Sequence, residues 1–100
     1  MQINEENASF RFEYIYESIR EALQSFMAFK GYKPYSHKAV ILFSEENGLI
    51  NELESRTIDR YRQIRNDISY RAQKTDILDV KEALAFAESL IPRLMSKAKF

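Results

Sequence analysis

Residues 4–34 read NEENASFRFEYIYESIREALQSFMAFKGYKP, and this stretch decides the fold class. Phe12, Ile15, Ile19, Leu23 and Phe26 recur three and four residues apart, the spacing that lines one face of an α-helix. Asn4 is a residue type that caps helix starts, and Glu5 and Glu6 then fall in the first turn, where the helix dipole favours acids. Lys30-Gly31, with Pro34 beyond, is a stop signal. The pattern predicts a helix over about residues 5–30.

Outward from that helix the same grammar repeats. Ser36 can cap a second, shorter helix to about Glu46, apolar through Ala39, Val40, Ile41, Leu42 and Phe43. Such a run also suits a buried strand. No other segment offers a strand to pair with it, so a helix is preferred, ended by Asn47-Gly48. Asn51 and Glu54, three apart, form a capping-box pattern that opens a third helix. Its apolar arc holds Ile50, Ile58, Tyr61, Ile64, Ile68 and Ala72, all within about 60° of Tyr61 at 100° per residue. Arg65 falls inside that arc, about 40° from its centre.

A polar break at Gln73-Lys74-Thr75-Asp76 precedes the last helix. Asp79 and Glu82 repeat the capping-box spacing, and Val80, Ala83, Leu84, Ala87, Ile91, Leu94 and Met95 form a continuous stripe. Pro92 lies inside the stripe and is expected to kink the helix or interrupt its hydrogen bonding. Four amphipathic helices with short connections predict an all-α, antiparallel up-and-down four-helix bundle. One domain over residues 1–100 suits the length.

Composition narrows the chemistry. The chain is 45% hydrophobic and 30% charged, with two Gly, two Pro and no Trp, so little of it is built for tight turns. Without Cys, neither a disulfide framework nor a thiolate zinc site can form. The N-terminus lacks the basic start and apolar run of a signal peptide, and no apolar stretch approaches the roughly 20 residues that span a bilayer. The expected location is the cytoplasm, away from membranes. A net charge of zero argues against general polyanion binding, yet five of the eight arginines (Arg56, Arg60, Arg62, Arg65, Arg71) fall in one short stretch. Gly31 and Gly48 are isolated, so no phosphate-binding glycine loop exists. One histidine and no Glu-x-x-His pair leave no metal site, and no cofactor is expected.

The segment that remains is Asp59-Arg60-Tyr61-Arg62-Gln63-Ile64-Arg65-Asn66-Asp67-Ile68-Ser69-Tyr70-Arg71. Here, over about residues 8–97, the chain resembles the HEPN family of small helical-bundle domains. Arg65-Asn66 matches the start of that family's motif, an Arg and a polar residue followed by a His. Tyr70 stands where the His is expected. Lys30-Gly31-Tyr32 ending a long first helix, and Tyr35-Ser36-His37 opening the second, are also similar to the family. So is the last helix, rich in Ala and Leu.

The resemblance implies a homodimer and, in active members, metal-independent RNA cleavage at the dimer interface. Arg65 would bind the scissile phosphate, Asn66 would orient it, and the motif base would take the 2′-hydroxyl proton. A planar guanidinium suits phosphate, offering parallel donors. A tyrosine in the base position departs from the pattern. With a reference pKa of about 10, only about one phenol in a thousand is ionised at pH 7, and a shift of roughly three units, about 4 kcal/mol, would be needed. The resemblance therefore implies a degenerate motif in a binding module, paired with a minimal nucleotidyltransferase as in two-component toxin–antitoxin systems. Such a partner can adenylylate a motif tyrosine, which here is Tyr70. The alternatives are an active ribonuclease, with Arg65, Asn66 and Tyr70 catalytic or His37 as the substitute base, and a nucleotide-binding sensor in which Arg65 and Arg71 hold phosphates.

Plainer readings stand beside these. Arg65 can be a structural arginine paired with Glu17 or Glu21, Tyr70 an interface aromatic, and His37 a helix-start side chain. The arginine cluster can be a solvated face laced with Asp59, Asp67 and Glu54 rather than an RNA track. Phe10, Phe12, Tyr16, Phe26 and Phe29 read as core or dimer surface. Residues five apart on a straight helix point about 140° apart. Arg65 and Tyr70 are thus expected to meet only if the helix bends or two protomers share the site.

Overall fold

A computed structural model of the chain describes Asn4 and residues 6–33, 36–71 and 75–98, the side chains of Arg71 and Ala98 excepted. Four helices follow one another: α1 (Ala8–Phe29), α2 (His37–Glu46), α3 (Glu52–Arg71) and α4 (Ile77–Ala98). They form an all-α four-helix bundle, with no strand among the described residues.

The helix ends follow local chemistry. Both α1 and α2 stop in Schellman motifs. Gly31 (φ 87°) donates to the Ala28 carbonyl and Tyr32 to Met27, while Gly48 (φ 72°) donates to Glu45 and Leu49 to Ser44. Only glycine adopts that left-handed geometry without strain. Ser36 caps α2, its hydroxyl accepting from the Ala39 amide at 3.1 Å. The capping box at α3 is reciprocal, with Glu54 N–H donating to Asn51 Oδ1 at 2.8 Å and Asn51 N–H to Glu54 Oε1 at 2.9 Å.

Two starts differ from expectation. At α1, Asn4 and Asn7 exchange backbone-to-side-chain bonds of 2.9 and 3.0 Å, so the chain turns there and the helix begins at Ala8, with no acid in its first turn. Glu5 lies outside the described residues. At α4 the cap is Asp76, whose Oδ1 accepts from Leu78 N–H at 2.9 Å. Asp79 and Glu82 are therefore inside the helix, where Glu82 is free to take cross-helix partners on α3. Pro92 does not end α4, which continues to Ala98.

The core gathers around Phe12, Tyr16, Ile19 and Leu23 of α1, Ile58 and Tyr61 of α3, and Val80, Leu90 and Leu94 of α4. Tyr61 packs edge-on against Phe12 at 5.6 Å and Phe86 at 5.7 Å. Each fully buried large apolar side chain contributes about 1.5–3 kcal/mol. The α4 stripe is rotated slightly from the expected one, since Leu90 is buried while Met95 is 55% exposed. Of the α1 aromatics, Phe10 and Phe29 are exposed, and Phe12, Tyr16 and Phe26 are core.

Chain directions decide where the site forms. Glu17 meets Arg65 and Glu13 meets Ser69, so α1 and α3 run antiparallel, and Arg93 on Glu54 with Tyr61 on Glu82 makes α3 and α4 antiparallel too. His37, opening α2, lies beside Tyr16 in the middle of α1, and Phe43 reaches Phe26 further along. The start of α2 thereby faces the C-terminal half of α3. The up-and-down alternation runs from α2 to α4.

Candidate functional site

The inner face of α3 is Ile58 and Tyr61, continued by the partly buried Ile64 and Ile68. Relative to Tyr61, the next side chains around the helix toward α2 are Arg65, Arg62, Asn66 and Tyr70, at about 40°, 100°, 140° and 180°. Arg62 and Arg65 stay partly buried, and Tyr70 lies at the rim. Arg65 is 27% exposed and Tyr70 80%. Together with Ser36, His37 and Lys38 at the start of α2, they line an open cleft of about 270 Å³.

Arg65, Asn66, Tyr70 and His37 thus meet around one cleft within a single chain. Arg65 and Tyr70 both line this cleft in one chain, so a second protomer is not required to bring them to it. The angle between Cα–Cβ directions overstates the separation, because helical side chains lean toward the N-terminus and tyrosine is long. Tyr70 lies one turn beyond Asn66 and shares with it a second depression of about 480 Å³, with Gln63 and Asp67. The side chain of Arg71, the other expected phosphate ligand, lies outside the described residues.

The walls are cationic. Lys38, Arg62 and Arg65 face the cleft, and among the described residues no carboxylate lines it. Asp67 lies beside the cleft, in the depression that Asn66 and Tyr70 share, and two further acids contact the arginines. Asp59 accepts from Arg62 Nε at 2.8 Å and from Gln63 at 3.1 Å. Glu17 lies under Arg65, but its Oε1 is 3.7 Å from Arg65 Nε, an ion pair too long to be a hydrogen bond. Both atoms are buried without a hydrogen-bond partner. The other Glu17 oxygen is taken by Arg20, whose Nε donates to it at 2.9 Å. Arg65 is paired with Glu17, as the plainer reading had it, and still keeps donor capacity that Glu17 does not use.

Arg56 and Arg60 of the arginine stretch are paired elsewhere. Arg56 pairs with Glu52 at 2.5 Å, and Arg60 pairs with Glu82 and lies 3.8 Å from Asp79. Glu54 goes to Arg93, not to the cluster.

His37 is held from below. Its Nδ1 is 3.2 Å from the hydroxyl of Tyr16, a core residue 1% exposed, and the two rings tilt at 43° with centroids 5.6 Å apart. Burial, and then the Arg20 charge, keep the imidazole below its usual pKa, with Glu17 opposing. Burial pushes the Tyr16 phenol up to about 12. A neutral imidazole, three cations and an amide around a small open cleft can hold an anion of phosphate size. The exposed Tyr70 hydroxyl hydrogen-bonds to none of the described residues, so nothing among them is positioned to take its proton.

Lys38 and Tyr16 carried no signal in the sequence, one reading as an ordinary surface lysine and the other as core. Arg62 was visible only as one of the clustered arginines, and its position three residues before Arg65 places both on neighbouring parts of one face.

A separate groove of about 410 Å³ runs between α1 and α4, with Tyr14, Ile15, Leu84, Ala87, Ile91 and Pro92 in its lining. It is mostly apolar, with Arg11, Ser18 and Glu88 also in its lining. Among the described residues no cluster of His, Asp and Glu could hold a metal ion, and no helix is long and apolar enough to cross a membrane. No protein-family model matches the chain, and neither a curated protein nor a solved structure matches it.

Proposed function

We propose that this chain is a HEPN-like binding module whose α2–α3 cleft takes the phosphate of a nucleotide or of single-stranded RNA without cleaving it. One observation carries the reading: Arg65 stands at the base of a cleft walled by Lys38 and Arg62, with its Nε buried and hydrogen-bonded to nothing. That Nε faces Glu17 rather than the open cleft, and an anion would balance the charge that Lys38, Arg62 and Arg65 bring to the lining. The degenerate motif fits binding without cleavage, since Tyr70 is exposed and no described residue is positioned to take its proton. By the same resemblance the module works in the cytoplasm as a homodimer, and its protein partner is a minimal nucleotidyltransferase of a toxin–antitoxin-type pair. The test is thermal stability with millimolar ATP or a short single-stranded oligoribonucleotide. Stabilisation that disappears in Arg65→Ala supports the reading, and no stabilisation by either probe refutes it. Light scattering tests the homodimer, and co-expression with the nucleotidyltransferase tests the partnership.

The position of His37 favours one second reading, a metal-independent ribonuclease. His37 would take the 2′-hydroxyl proton, the 2′-oxygen would attack phosphorus held by Arg65 and Asn66, and the 5′-oxygen would leave with a proton from water. Its signature is a 2′,3′-cyclic phosphate product formed in the presence of a chelator and lost in His37→Ala. Intact RNA at high protein concentration removes this reading.

A further inference from the structure

Tyr16 has no surface to serve, and its hydroxyl has one partner among the described residues, His37 Nδ1 at 3.2 Å. Two arrangements satisfy that distance. If Nδ1 carries the proton, the phenol accepts and its own hydrogen points into the interior with no acceptor among the described residues. If the phenol donates, Nδ1 accepts, and the imidazole proton must sit on Nε2. The second arrangement leaves no buried donor unmet.

We infer that Tyr16 is a positioning residue that locks His37 in the Nε2–H tautomer, so that the ring offers a neutral hydrogen-bond donor to an anion in the cleft. This rests on the reading of the cleft as an anion site and deepens it. A ring locked this way has no lone pair at Nε2 and cannot act as the base of a ribonuclease, so the tautomer separates the two functional readings. The surrounding groups maintain the neutral form. Arg20 on α1 and Arg62 and Arg65 on α3 oppose a charged imidazole, while Glu17 on α1 favours it, and Lys38 on α2 lines the same cleft. The phenol stays protonated throughout the physiological range, as its raised pKa requires.

His37 is the one histidine in the chain, so its ring signals need no assignment. Long-range ¹⁵N–¹H spectra without ligand read the tautomer directly. The expected result for the wild type is a protonated Nε2 and an Nδ1 that accepts a hydrogen bond, with the Nδ1–H form undetected. Free histidine already leans toward the Nε2–H form, so the comparison with Tyr16→Phe is the informative one. That variant keeps the buried ring, and it is expected to populate the Nδ1–H form and to titrate at a higher pH. Detectable Nδ1–H in the wild type overturns the inference without recourse to the variant. So does an unchanged tautomer ratio and midpoint in a folded Tyr16→Phe. Adding inorganic phosphate afterwards tests the anion reading separately: the lock can hold while phosphate leaves the ring signals unmoved.

Discussion

Arg65 Nε lies 3.7 Å from Glu17 Oε1, close enough to attract and too far to hydrogen-bond. The other Glu17 oxygen belongs to Arg20, so this carboxylate neutralises one arginine well and a second poorly. An incompletely paired guanidinium beside two further cations is the physical basis of the proposed phosphate site.

The relationship predicts opposite effects for its two members. Arg65→Ala removes a charge-assisted donor worth about 1.5–3 kcal/mol, and ATP affinity is expected to fall by about 10- to 100-fold. Glu17→Gln removes a competing negative charge and is expected to tighten binding several-fold. Isothermal titration at fixed salt measures both. Folding stability should change little in Arg65→Ala, by about 1 kcal/mol or less, because the pair is partly exposed.

Tyr61 anchors α3 to α4 through its hydroxyl, which donates to Glu82 Oε2 at 2.9 Å. Tyr61→Phe keeps the buried ring and loses that bond. Glu82 is exposed and retains Arg60, so the cost sits low in the usual range, at about 1 kcal/mol. Thermal denaturation should show a drop of about 4–8 °C.

Glu54 serves two helices, capping α3 through Asn51 and accepting from Arg93 of α4 at 2.8 Å. The Arg93 hydrogen bond holds its carboxyl below the usual carboxylate range, against the effect of burial. A depressed carboxylate contributes stability that is present above its unfolded pKa of about 4.5 and is lost as pH falls through the lowered folded value. Glu54→Gln can still cap but not pair, and it should cost about 1 kcal/mol at pH 7. The difference from wild type should vanish at strongly acidic pH in urea melts.

His37 sets a different window. Its folded pKa is lowered from 6.5, so the unfolded chain takes up the proton first. Stability is therefore expected to be full above about pH 6.5 and to decline below it, until the folded ring is protonated as well. Urea midpoints between pH 7 and 5 should slope in the wild type and flatten in His37→Gln.

Much of this fold could be read from particular residues. Gly31, Gly48, Ser36 and the Asn51–Glu54 box act within a few residues of themselves, so their spacing carried their roles. The starts of α1 and α4 lie elsewhere than their expected caps. Asn4 lost to Asn7 through a reciprocal turn, and Asp79 and Glu82 lost to Asp76, since Glu82 is engaged by Tyr61 and Arg60. At the site, the motif drew attention to Arg65, Asn66 and Tyr70, and His37 was visible as the lone histidine. Their meeting in one chain was not legible, for it depends on α2 beginning beside the middle of α1. Nor was the role of Tyr16, whose hydroxyl is the one polar atom of a core side chain and finds His37 twenty-one residues away.

The most direct test of the phosphate cleft is an ATP titration of the wild-type chain and of Arg65→Ala, followed at the His37 ring. The account predicts a saturable shift of the ring signals in the wild type at millimolar ATP or below, and none in Arg65→Ala. Ring signals that stay fixed in the wild type, or that move equally in both proteins, would contradict it.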